Sequence, residues 1–124
     1  MSGISRSSVT ALPKTGTINS TPVGQGETQT ITGAKEGETW KIIGISFNNG
    51  TGSSGVMRIE MVDSAGALVE LSDDTTCGAN ARTPLKTIFT TGELIVDYNI
   101  KLQAVFVSGD AESISVDVAH IKIN

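Results

Sequence analysis

The sequence predicts an all-β fold: a two-sheet β-sandwich, jelly-roll-like, with an extended N-terminal arm. Three observations predict it. Apolar residues recur with the two-residue period of half-buried strands, and no segment of useful length carries the 3.6-residue period of a helix. Turn-forming clusters of Gly, Asn, Asp and Ser separate these runs at roughly 8–12-residue spacing, the signature of a sandwich or barrel. The chain of 124 residues holds 28 serines and threonines and 14 glycines against five aromatics, a composition suited to strands joined by turns. Its length is that of one domain.

Residues 1–25 form the expected arm. They hold two of the three prolines, Pro13 and Pro22, and show no sustained period. Their apolar residues stand isolated, so the segment cannot bury enough surface alone to offset its ordering entropy of about 1–2 kcal/mol per residue. An arm that orders against a partner subunit would use those isolated residues, whereas a pure linker has no need of them. The candidate partner-binding residues are Ile4, Val9, Leu12, Pro13, Ile18 and Val23.

Residues 26–124 form the expected sandwich of about eight strands. Glu27 to Thr32 is a short β-prone run. Thr39 to Phe47 is the first strong strand, with apolar residues of both parities and Gly44 marking a bulge or a close neighbour. Residues 48–55 are turn chemistry. Val56 to Val62 alternates cleanly, with Met57, Ile59 and Met61 inward and Arg58 and Glu60 outward. Asp63-Ser-Ala-Gly66 predicts a tight hairpin, returning as Ala67 to Leu71 with Leu68 or Val69 inward. Residues 72–83 are polar and predict a long surface loop. Pro84 to Thr90, Glu93 to Val96 and Ile100 to Val107 predict further strands. Ser113 to Ile123 is the last, and its parity changes between Val118 and Ile121. A β-bulge near Ala119-His120 would bring Ile114, Val116, Val118, Ile121 and Ile123 to one side. The expected core is Trp40, Ile42, Ile45, Phe47, Met57, Ile59, Met61, Leu68, Ile88, Leu94, Ile100, Leu102, Phe106, Ile114, Val116 and Val118.

Charge and composition narrow the function classes. The formal net charge is −4 and the pI is near 4.8, far from the basic surface of a nucleic-acid binder. No nucleic-acid partner is expected. No stretch reaches the ~18–20 apolar residues of a membrane helix, and the N-terminus lacks the basic-then-apolar pattern of a secretory signal. One cysteine, Cys77, permits no internal disulfide, and one histidine, His120, argues against a histidine-based metal site. No cofactor is expected.

The residues with chemical potential each meet a plainer reading. Asp73-Asp74 supplies two carboxylates toward a calcium shell, which needs six to eight oxygens, but lacks the alternating acids of an EF-hand; a solvated loop is the default. Cys77 as a nucleophile needs a base, and the one histidine is 43 positions away. His120 itself suits a strand edge or a pH-sensitive subunit contact. Asn19-Ser-Thr21 and Asn49-Gly-Thr51 match the glycosylation sequon, although Asn49-Gly50 reads as turn chemistry. A sugar platform requires an exposed aromatic; Trp40 and Phe47 are expected inside, leaving Tyr98 and Phe89.

The hairpin Met61-Val-Asp-Ser-Ala-Gly-Ala-Leu-Val69 and the ending Ser113-Ile-Ser-Val-Asp-Val-Ala-His-Ile-Lys-Ile123 resemble those of small virion proteins of tailed bacteriophages, most of all capsid cement (decoration) proteins. The resemblance implies a non-enzymatic role on the capsid exterior, after synthesis in the host cytoplasm. The implied partner is the major capsid protein, and the implied assembly is a homo-oligomer, a trimer. A tail, head-fibre or receptor-binding virion component is the nearest alternative, and a small carbohydrate-binding module is the other.

Overall fold

The structure, a computed structural model, describes residues 14–19, 22–31, 33–85 and 94–123. Among these, eleven strands run in order: β1 (Lys14–Asn19), β2 (Val23–Gly24), β3 (Thr28–Thr30), β4 (Thr39–Asn49), β5 (Gly55–Val62), β6 (Leu68–Leu71), β7 (Thr75–Cys77), β8 (Ala81–Pro84), β9 (Leu94–Asp97), β10 (Lys101–Gly109) and β11 (Ser113–Lys122). The first sheet orders β1, β11, β4 and β8, with β2 extending along β11 and β9 along β4. The second orders β3, β10, β5 and β6, with β7 sharing the free side of β5. Every pairing is antiparallel.

Each sheet is therefore four strands wide. The chain changes sheet between β2 and β3, β3 and β4, β4 and β5, β7 and β8, β9 and β10, and β10 and β11. The last strand lies between the first and the fourth. This is the connectivity of a jelly roll; the sequence predicts the two-sheet, jelly-roll-like architecture and not the strand order.

The core fills the space between the sheets. Phe47, Met57, Ile59, Phe106, Ile114, Val116 and Val118 are enclosed, each large apolar side chain contributing about 1.5–3 kcal/mol by burial. At one end of the second sheet two glycines let β5 and β10 approach closely. Gly109 opposes Gly55 in register at φ +118°, and a Cβ on it would lie 2.6 Å from the Gly55 Cα.

Several expectations are corrected. Leu68 and Val69 are 53% and 52% exposed, so neither is core. Their strand β6 is an edge strand, and its pairing with β5 slips between Met61 and Val62. Ile100 is only partly buried against the core. Ile88 lies outside the described residues. The polar stretch 72–83 contains β7 and the first three residues of β8, since edge strands need no apolar face to pair through their backbone. The bulge exists, but on the other strand. Ala119 opposes Gly44 and His120 opposes Ile42, so the extra residue is Ile43 of β4, while β11 stays regular against β1. Ile121 and Ile123 consequently face away from the core. The hairpin stands: the Asp63 carboxylate accepts from the Ala65 and Ala67 amides at 2.9 Å each, and Gly66 takes the left-handed position at φ +83°.

Residues 14–24, read as part of the arm, contribute β1 and β2 to the first sheet. β1 pairs with β11 over six residues, from Lys14 opposite Lys122 to Asn19 opposite Asp117.

Candidate functional site

The two sheets expose different side chains: the second carries a charged cluster together with exposed Leu68, Val69 and Val107. On the second sheet, Arg58 donates through Nε and Nη2 to Glu60 Oε2 at 3.1 and 3.0 Å and through Nη1 to Asp74 Oδ1 at 3.2 Å. Gln103 donates to the other Glu60 oxygen at 2.7 Å. These bonds raise the Arg58 pKa, the Glu60 bond most. Glu60, Arg58 and Gln103 come from paired strands β5 and β10, so alternation alone sets them side by side. Arg58, Glu60 and Asp74 thus satisfy one another's charges.

The first sheet turns an apolar surface outward. Lys41 of β4 opposes Ile121 of β11 on one side and Ile95 of β9 on the other. The bulge adds Ile43 two residues along, and Ile123 donates its amide to the Thr39 carbonyl. Ile43, Ile95 and Ile123 are 48%, 37% and 48% exposed. With strands about 4.8 Å apart and same-face residues about 6.8 Å apart, the four isoleucines fall within roughly 10 by 14 Å. Further along, the surface becomes polar: Arg82 pairs with Asp117 at 2.6 Å and donates to Ser46 Oγ at 2.8 Å.

An acidic groove of about 350 Å³ borders the isoleucines, lined by Glu36, Glu38, Asp97, Tyr98 and Asn99. Glu38 accepts from the Lys35 amide and pairs with Lys122 at 3.0 Å; the Lys35 amide bond first, then Lys122, lowers its pKa. The Asp97 carboxylate caps its own turn, accepting from the Asn99 and Ile100 amides at 2.8 and 3.0 Å. Glu36 is exposed. Tyr98 is exposed, with Lys101 Nζ 5.7 Å from its ring centroid.

The residues singled out from sequence scatter. Ile4, Val9, Leu12 and Pro13 lie outside the described residues, as does Phe89. Ile18 opposes Val118 in β1. Val23 is fully buried in this chain's own core, which removes it from any exposed arm. Cys77 is buried, and burial pushes its thiol up to about 11. It opposes Gly55 in register, and a Cβ on Gly55 would touch Ile114. His120 lies six residues along β11 from Ile114, about 20 Å away, so the two do not form a dyad. His120 is not a strand-edge residue: it stacks on Trp40. Asp74 is engaged by Arg58. Among the described residues no group of three His, Cys, Asp or Glu side chains is placed to hold a metal, and no helix is long and apolar enough to cross a membrane.

Asn49 is a keystone and not an accessible sequon. It is wholly buried. Its Nδ2 donates to the Ser53 and Cys77 carbonyls at 2.8 and 3.2 Å. Its Oδ1 accepts from the Thr51 amide and hydroxyl at 3.0 and 2.7 Å. The sequence reading missed the isoleucine face, although its signal was present: Ile121 and Ile123 oppose the parity of Ile114, Val116 and Val118, and Ile95 sits between two inward residues.

No protein-family model matches the chain, and no curated protein matches its sequence. Among solved structures, a chain of the T13 IBDV viral particle is similar over 90% of this chain and 31% of its own length, at 16% identity and a TM-score of 0.48. This chain thus spans about a third of the length of that one.

Proposed function

We propose that this chain is a non-enzymatic phage virion protein that binds and stabilises the capsid shell, a cement or decoration protein whose partner is the major capsid protein. The observation that carries this reading is the isoleucine face. A chain that works alone gains nothing from holding Ile43, Ile95 and Ile123 in water beside a half-buried Ile121, whereas one that works by contact uses them. The resemblance of the hairpin and last strand to cement proteins supplies the virion context, and the jelly roll is a fold that capsid domains use. The trimer, the capsid exterior and synthesis in the host cytoplasm follow from the resemblance.

Binding the assembled shell and not its free subunits stabilises the assembly by mass action, by about 4 kcal/mol per site at a thousandfold excess over Kd. The test adds purified chain to particles stripped of it and follows shell opening on heating. The opening temperature rises and saturates with added chain. An unchanged opening temperature sinks the proposal.

One observation favours a second reading, a carbohydrate-binding module. Tyr98 lines a groove with three carboxylates and Asn99, and sugars are held by an aromatic face with polar groups around it. Glycan-array binding that disappears in Tyr98→Ala would support it.

A further inference from the structure

We infer that His120 latches β1 to the sandwich: when the imidazole takes up a proton, β1 leaves β11 while the other strands stay paired.

The ring is held from two sides. Trp40 of β4 stacks on it with 3.9 Å between centroids. On the β1 side there is no clearance. A Cβ on Gly16, which opposes His120, would lie 2.9 Å from Cε1 and 3.2 Å from Nε2. Nδ1 is buried and has no hydrogen-bond partner. In the neutral ring that leaves one polar atom unmet. In the imidazolium the unmet atom is a charged donor, which costs more. Water must then reach Nδ1, and one of the two neighbours must move.

The two neighbours are not equally fixed. β4 lies inside the first sheet, bonded to β11 on one side and to β8 and β9 on the other. Trp40 lines an apolar pocket with Ile31, Ile42, Val96, Leu102 and Val118. β1 is an edge strand of six residues that pairs, among the described strands, with β11 alone. It is the element that yields.

The charges around the ring do not reverse this. Glu38, ahead of β4, draws the proton, but it is already paired with Lys122 at 3.0 Å, and burial lowers the imidazole pKa more than Glu38 raises it. Lys122 lies two residues along β11, and Lys14 of β1 opposes it; both are cations. Ile42, opposite His120 in β4, carries no charge. The indole attracts a cation, but it stays beside the ring after β1 has left and so favours neither state. With β1 gone the ring meets water and takes the proton with ordinary affinity. Proton uptake and strand release therefore promote one another.

The test is hydrogen exchange of the full chain at pH 7.5, 6.5 and 5.5, with each opening constant corrected for the intrinsic exchange rate. The protected amides of residues 14–19 should open at least tenfold more often than those of β10, through a local event and not through global unfolding. From pH 7.5 to 5.5 their opening constant should rise between about twofold and the roughly tenfold ceiling that one proton allows. In His120→Phe and His120→Gln, each checked for folding by circular dichroism, that rise should vanish. Equal opening of β1 and β10, a rise under twofold, a rise that persists in either folded variant, or a pH-dependent opening of residues 39–42 in place of 14–19 would each overturn the inference.

Discussion

The imidazole of His120 lies flat on the indole of Trp40, with ring centroids 3.9 Å apart and planes inclined by 19°. His120 opposes Gly16 where β1 pairs with β11. A Cβ on Gly16, opposite His120 in β1, would come within 2.9 Å of the imidazole Cε1. Stack and strand therefore share one space.

That geometry sets a pH dependence. His120 Nδ1 is buried without a hydrogen-bond partner, and burial lowers the imidazole pKa below 6.5 despite the opposing pull of Glu38. The unfolded chain thus takes up its proton at higher pH than the folded one. The contribution to stability is fully present above pH ~6.5 and is lost as pH falls through the lower folded value. His120→Phe keeps the stack and removes this slope. Melting temperatures of both proteins between pH 7.5 and 5.5, above the range where Glu38 titrates, check it; parallel slopes would refute it.

Gly16 and His120 should be energetically coupled. Gly16→Ala forces the imidazole off the indole or β1 off β11, costing about 1–3 kcal/mol as overpacking does. In a His120→Ala background the same change should cost less than half as much. A double-mutant cycle by urea denaturation measures the coupling, and strict additivity would show that the ring is free to move aside.

Asn49 holds the β4–β5 connection from inside. Asn49→Ala removes the side-chain partner of the Cys77 carbonyl and of the Thr51 amide, while the Thr51 hydroxyl still bonds the Ser53 carbonyl, and the expected loss is about 2–3 kcal/mol. Asn49→Asp should be at least as damaging, because a carboxylate would then face the Ser53 and Cys77 carbonyls. Chemical denaturation of both variants is the measurement.

Legibility in the sequence follows the range of the interaction. The Asp63–Gly66 turn is set by four adjacent residues, and its chemistry names it. Arg58 and Glu60 read outward because nothing interrupts the alternation of β5. The bulge is a mixed case. The parity break on β11 pointed to the right level of the sheet, but the extra residue belongs to β4, where Trp40 and Ile42 fall out of step with Ile45 and Phe47. Pairing decides which strand carries a bulge, and pairing is non-local. The same holds for β1, a polar run with one large apolar residue, Ile18, that becomes a strand through its backbone bonds to β11. The isoleucine face was hidden by the assumption that apolar residues on a terminal strand belong to the core.

Cys77 should be inert while the chain is folded. Its buried thiol, pushed up to about 11, leaves almost no thiolate at pH 8. Iodoacetamide should alkylate it only in denaturant; rapid labelling of the native protein would contradict its burial.

A structural role on a capsid sets the number of copies each particle carries. Its most direct test is quantitative peptide mass spectrometry of gradient-purified particles from the source of this gene. Hundreds of copies per particle, comparable to the major shell protein, are expected. A few to tens of copies would move the chain to the tail or fibres, and its absence from the particles would contradict this role.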